Sequence, residues 1–373
     1  MSTNPDTNPA VETLTLMNAP IDAWSMDRQG SGRLLPQFRV TVNSRCGRAC
    51  FFCRPSGEAV LTAAGTDLNV DRLVSIGRLV RRAGVTGVKL TGGDPALYDP
   101  LEVAVERLRA EAAFDDVEVI SRHPRVGPRA AGLAQAGVTQ FNMSVDTLDP
   151  ALHKEITGQG DHAAVLDALR ACVATGVPVK VNMVVMAGVN DDEVAALAAF
   201  CEREGVATLK LLDVIQDLDA GAESFAKRLA RTRAGRVVRD LYVPLESITA
   251  QFAADAVEVS TRTQGGLGHP MTVLSFGSGF EVMVKDSAAG AWYGSVCDTC
   301  PLFPCHDALM ALRLTADLRL QFCLLREDIT VPLAELFDRS GGELEATVRR
   351  ALDVYAGATF RSSSSKASMV VLS

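Results

Sequence analysis

From Arg39 to about Asp213 the chain alternates short β-rich runs with longer amphipathic stretches. The period of the apolar positions switches between two and about 3.6 from one segment to the next. Six runs read as strands: FRVTV (38–42), GVKLT (87–91), VEVIS (117–121), TQFNMSV (139–145), VKVNMVV (179–185) and TLKLLD (208–213). Helices are predicted between them, for example over 71–83, 100–112, 161–175 and 191–204, the last capped by Asp191 after a Gly188-Val189-Asn190 turn. Such alternation predicts an α/β fold of parallel strands joined by crossover helices. In these arrays ligands bind at the carboxyl ends of the strands. Residues 1–30 read as a flexible tail and 31–215 as the strand–helix unit. The region 216–345 has weaker periodicity and several glycines (Gly265, Gly266, Gly268, Gly277, Gly279), and 346–373 reads as a helix followed by a flexible, serine-rich end.

Apolar residues make up 47% and charged residues 22%, an ordinary globular composition. A net charge of −8 argues against a protein that coats nucleic acid or anionic lipid, but leaves room for local basic pockets. There is no apolar run long enough to span a membrane and no basic start followed by an apolar stretch, so a cytoplasmic protein is expected. Nine cysteines are the exception to this plain picture. In a reducing compartment, clustered cysteines favour metal or redox chemistry over disulfides. Seven fall in two groups, 46, 50, 53 and 297, 300, 305, 323, whereas Cys172 and Cys201 sit in helix-like apolar patterns and read as core.

The first group, Cys46-x3-Cys50-x2-Cys53, directly follows the first strand. Three thiolates in one short loop can hold three irons of a [4Fe–4S] cube and leave the fourth iron open. The competing reading is zinc, which wants a fourth Cys or His close by; none follows within twenty residues of Cys53. The second group supplies four candidate thiolates, Cys297, Cys300, Cys305 and Cys323. Its spacing suits either a zinc ribbon or a second iron–sulfur cluster.

The cysteine loop with its Arg39-Val40-Thr41-Val42 lead-in resembles the radical S-adenosylmethionine superfamily, and within it the GTP 3′,8-cyclases of molybdenum-cofactor biosynthesis. The likeness runs from about residue 28 to about residue 326. It includes Leu90-Thr91-Gly92-Gly93-Asp94-Pro95, Asn142 to Asp149, Val179-Lys180-Val181-Asn182, Gly188 to Glu193 and Arg313-Leu314-Thr315-Ala316-Asp317. The resemblance implies a partial (β/α)6 parallel barrel with a smaller C-terminal α+β cluster-binding extension of the twitch type. It also implies reductive cleavage of S-adenosylmethionine to a 5′-deoxyadenosyl radical, hard chemistry that belongs to the cofactors.

By the same resemblance, Gly92, Gly93, Asp94 and Pro95 receive the methionine end of the cofactor, and Ser121 and Ser144 hold the rest of it. Asp94 stands where the family has Glu, and Ser121-Arg122-His123-Pro124 replaces the family's Thr-Thr-Asn-Gly. Cys297, Cys300 and Cys323 match three ligands of an auxiliary [4Fe–4S] cluster, while Cys305 lies in a four-residue insertion and is a candidate fourth ligand that would close it.

The family's substrate positions are rich in arginine, which matches phosphate bidentately. Arg39 and Arg313 keep two of these and Lys180 keeps a lysine, but Lys89 and Lys210 stand where arginines are expected. Ala311 replaces another arginine, and the sequence ends without the family's Gly-Gly tail. The expectation is therefore a paralogue whose substrate is not GTP. It would take hydrogen from a small polar molecule (a nucleoside, nucleotide or sugar derivative) in specialised metabolism such as antibiotic biosynthesis. A reductant such as flavodoxin or ferredoxin would be its partner, with no nucleic-acid or membrane partner. The alternatives are a peptide-modifying radical enzyme, the GTP 3′,8-cyclase itself, and a non-catalytic iron–sulfur redox protein.

Overall fold

The computed structural model describes residues 34–53, 66–216, 238–263, 267, 269–305, 309–326, 328–339 and 342–361. The expected tails at 1–30 and 362–373, and Gly265, Gly266 and Gly268, lie outside the described residues.

The six expected strands form as β1 (Gln37–Thr41), β2 (Gly87–Thr91), β3 (Asp116–Ser121), β4 (Gln140–Ser144), β5 (Val179–Val184) and β6 (Thr208–Leu212). They lie side by side in chain order, all parallel. The C-terminal region extends this sheet at both edges. Beyond β6 come β9 (Glu281–Lys285), β8 (Pro270–Ser275) and β7 (Glu258–Thr263), with β9 parallel to β6. Beyond β1 come β11 (Ala311–Leu314), β12 (Arg319–Gln321) and β13 (Thr330–Pro332), with β11 parallel to β1. A separate antiparallel pair joins β10 (Ala291–Tyr293) to β14 (Thr359–Arg361).

Eight helices are described: α1 (Val70–Arg82), α2 (Leu101–Ala110), α3 (Val126–Ala136), α4 (Pro150–Thr157), α5 (His162–Val173), α6 (Val194–Arg203), α7 (Glu246–Ala253) and α8 (Glu343–Ala356). Asn69 starts α1 by accepting the Arg72 amide at 3.1 Å, and Leu73, Val74, Ile76 and Val80 form its buried stripe. The sequence reading misplaced one cap. Asp191 does not start α6; its Oδ1 accepts the Gly188 amide at 2.9 Å and closes the preceding turn. The Glu193 carboxylate, next to α6, instead reaches back to the Thr147 hydroxyl (2.6 Å) and the Leu148 amide (2.8 Å).

Strand residues alternate in direction, so one set faces the helices and the other faces the concave interior. Val40, Leu90, Val119, Phe141, Val181 and Leu209 belong to the first set and are buried in one core. Each such side chain contributes about 1.5–3 kcal/mol by leaving water. Cys172 and Cys201 are fully buried in the same core, as expected, and burial pushes each thiol up to about 12. No helix among the described residues is long and apolar enough to cross a membrane.

Candidate active site

The loop carrying Cys46, Cys50 and Cys53 leaves the carboxyl end of β1 and is held from two sides. On one side it is laid against the end of β2: the Gly93 amide donates to Asn43 O at 2.9 Å and the Asp94 amide to Arg45 O at 2.6 Å. A Cβ on Gly93 would lie 2.2 Å from Arg45 O, and one on Gly92 would lie 2.7 Å from Asn43 Oδ1. These glycines therefore admit the backbone of the cysteine loop itself. On the other side the end of α4 and the segment after it grip the loop. The Ala49 amide donates to Thr157 O at 2.9 Å and Gln159 Nε2 to Gly47 O at 2.7 Å. Arg48, with a side chain only 2% exposed, makes a two-pronged bond to Asp161 at 3.1 and 2.8 Å. Asp161 also meets His153 Nε2 at 3.2 Å. The sequence reading missed this brace, since its partners are 113 residues apart.

Burial, reinforced by Asp94 and the neighbouring thiols, pushes Cys46 up to about 12. Burial also pushes Cys50 up to about 11, against the pull of Arg122 and Arg48. Both remain protonated at neutral pH until a metal displaces the proton.

The three cysteines open onto a cavity of about 310 Å³ that Gly92, Gly93, Asp94, Ser121 and Ser144 also line. Asp94 accepts from the Ser121 hydroxyl (2.7 Å), the Arg122 amide (2.9 Å) and the Ala96 amide (3.0 Å), which ties the end of β2 to the end of β3. Ser121 in turn accepts the His123 amide at 3.0 Å. Pro95 is buried in the short turn that Asp94 caps and does not line the cavity.

A second cavity of about 210 Å³ lies deeper in the concave face. Arg39 is in register with Lys89, Asn142 with Lys180, Asn182 with Lys210 and Leu212 with Lys285, so inward positions on β1, β2, β5, β6 and β9 supply its strand cations. Arg39, Lys89, Arg122, Lys180, Lys210 and Lys285 all line it. Lys89 pairs with Glu118 at 3.0 Å and Arg122 with Asp146 at 2.7 Å. Burial holds Lys180 down to about 8, and burial with repulsion from Lys89, Lys180, Lys285 and Arg39 holds Lys210 well below an ordinary lysine. Arg39, Arg122, Ser144 and Lys285 line both cavities, which therefore share a wall. Arg313 lines the first cavity only and donates to Ala311 O at 3.2 Å; Ala311 is fully buried in β11. Lys285 was missed in the sequence, although its period-two position in EVMVK (281–285) is a usable signal.

The second cysteine group also converges. Cys297, Cys300, Cys305 and Cys323 line one pocket between β10 and β12, with Tyr293, Phe303 and Arg326. The Cys300 amide donates to Cys297 O at 3.1 Å, the Tyr293 hydroxyl donates to Cys305 O, and Gln321 Nε2 donates to Cys323 O at 2.8 Å. Cys323 adjoins Leu324, which lines the first cavity. Among the described residues, no group of three or more His, Cys, Asp or Glu side chains is placed to hold a single metal ion.

Residues 40–201 match the Radical SAM superfamily. The chain thus carries a radical SAM domain and is an enzyme; that domain implies a [4Fe–4S] cluster and S-adenosylmethionine as cofactors. Its relatives are GTP 3′,8-cyclases. It is 27% identical over 298 residues to the probable GTP 3′,8-cyclase of Thermococcus kodakarensis, covering 80% of this chain and 87% of that protein. It is also 27% identical over 329 residues to the GTP 3′,8-cyclase of Moorella thermoacetica, covering 86% and 91%. Among solved structures, Streptococcus suis SuiB bound to S-adenosylmethionine aligns with a TM-score of 0.48 at 12% identity, over 77% of this chain and 60% of that one, so the chain spans less than two thirds of its length. The superfamily and the fold expected from sequence are borne out. For the substrate, the comparisons favour the cyclase alternative over the expected paralogue.

Proposed function

We propose that Cys46, Cys50 and Cys53 hold the cluster that cleaves S-adenosylmethionine, and that the substrate is a purine nucleoside triphosphate cyclised as in the GTP 3′,8-cyclases. The observation that carries this reading is the cation-lined cavity sharing a wall with the cysteine cavity. Bound together, the cluster and S-adenosylmethionine supply a 5′-deoxyadenosyl radical that takes one hydrogen atom. The protein binds and orients. Asp94, Ser121, Ser144 and the backbone at Gly92-Gly93 face S-adenosylmethionine, while Arg39, Lys180, Lys210 and Lys285 donate charged hydrogen bonds to the phosphates. Arg313 stands at the junction, and a one-electron donor of the flavodoxin or ferredoxin class completes the system. The direct assay incubates the reduced enzyme with S-adenosylmethionine and GTP. Formation of 5′-deoxyadenosine together with a 3′,8-cyclised nucleotide is expected. Cleavage of S-adenosylmethionine with GTP left unchanged would overturn the GTP reading and restore the paralogue that Ala311, Lys89 and Lys210 suggest.

A second [4Fe–4S] cluster on Cys297, Cys300 and Cys323 belongs to the same reading, with Cys305 as its fourth ligand because it lines the same pocket. A closed cluster leaves substrate recognition to the side chains. Cys305→Ala is expected to change the auxiliary-cluster spectrum; an unchanged spectrum at full iron content would make Cys305 a bystander.

A further inference from the structure

We propose that Arg122 and Asp146 form an oriented charge pair that sets the reduction potential of the cluster on Cys46, Cys50 and Cys53. The inference rests on those three cysteines holding that cluster.

Arg122 directly follows β3 in the segment Ser121-Arg122-His123-Pro124. Its guanidinium donates to Asp146 Oδ2 at 2.7 Å and lies 5.4 Å from the ring centre of Phe52, between Cys50 and Cys53. Both ends of the pair are sheltered, Arg122 at 15% side-chain exposure and Asp146 at 3%. Asp146 is pinned in turn: its Oδ1 accepts the Val184 amide at 3.0 Å, and its carbonyl accepts the Asn190 side-chain amide at 2.7 Å. The acid thus fixes the guanidinium from one side and Phe52 fixes it from the other.

The pair has a direction. Arg122 lines both cavities, whereas Asp146 lines only the lysine cavity, so the positive end is nearer the cysteines. Reduction passes one electron from a donor of the ferredoxin or flavodoxin class into the cluster, with no bond made or broken, and adds one negative charge there. A fixed cation nearby stabilises the reduced form and raises the potential; a fixed carboxylate lowers it.

The test is a potentiometric titration of the anaerobically reconstituted holoenzyme followed by electron paramagnetic resonance. The signal that changes when S-adenosylmethionine is added identifies the first cluster. Arg122→Met is expected to lower its reduced-to-oxidised ratio at a fixed potential about tenfold, equivalent to about 59 mV for a one-electron couple. Asp146→Asn is expected to raise that ratio by a similar factor, and Arg122→Lys to stay near the parent protein. Opposite signs in the Met and Asn variants are a result that loosened packing does not produce. Equal potentials in all variants, or shifts of one sign, overturn the inference. So does loss of the responsive signal in Arg122→Lys, which would make the arginine's shape and not its charge the requirement. A parent protein with no responsive signal overturns the cluster assignment itself, and this inference with it.

Discussion

Replacing Cys46, Cys50 and Cys53 together by Ala is expected to abolish 5′-deoxyadenosine formation and to leave about four of about eight irons per chain. The effect is all or none because the loop is built around its metal. Burial holds Cys46 and Cys50 as neutral thiols near 12 and 11, so only an incoming cation releases those protons. The remaining irons stay because the second group lines a separate pocket that shares none of Cys46, Cys50 and Cys53. Iron counting, sulfide analysis and product chromatography on the anaerobically reconstituted variant and parent check this. A parent chain with about four irons and one zinc would leave a single cluster and refute the pair.

Affinity for a nucleoside triphosphate is expected to fall steeply between pH 7 and pH 9. Lys180 is held down to about 8 by burial, and Lys210 is also depressed, by burial and by the cations around it. Phosphate stabilises the charged form of each lysine and so raises its pKa on binding. Below about pH 8 Lys180 is already protonated, and its part of the affinity is fully present. Above that pH binding must take up the missing proton, and affinity drops by up to about tenfold per pH unit for each lysine involved. Calorimetry in two buffers of different ionisation enthalpy measures this uptake directly. Lys180→Met should flatten part of the pH slope and weaken binding at pH 7 by about ten- to a hundredfold, the value of one charged hydrogen bond. A flat affinity across this range would mean that the phosphates lie elsewhere.

The strands were the most legible part of the fold, because FRVTV, VKVNMVV and their counterparts alternate apolar with polar residues over most of their length. The bounds of α3 were harder to read because Gly127, Pro128 and Gly132 break up its apolar pattern, and those of α4 because eight residues are too few to establish a helical period. The two cysteine groups were legible as candidate chemistry from their spacing, whereas Arg39, Lys180 and Lys210 were singled out only by the family resemblance. The Arg48–Asp161 brace and the Arg122–Asp146 pair were not legible, because each is a meeting of segments that only the folded sheet brings together. Nor does any local pattern say that β9 and β11 extend the sheet of β1 to β6.

That extension has a consequence for how the chain assembles. β1 is flanked by β2 on one side and β11 on the other, so one of the first strands made waits for one of the last. On the ribosome the edge of β1 stays open while the rest of the barrel is synthesised, a loop closure over most of the chain that slows folding. The cysteine loop leaves that same strand, and three of the four distal cysteines precede β11 while the fourth follows β12. The distal cysteines are therefore brought together only late in synthesis, and until β11 docks, the open edge of β1 is exposed to proteases and to self-association.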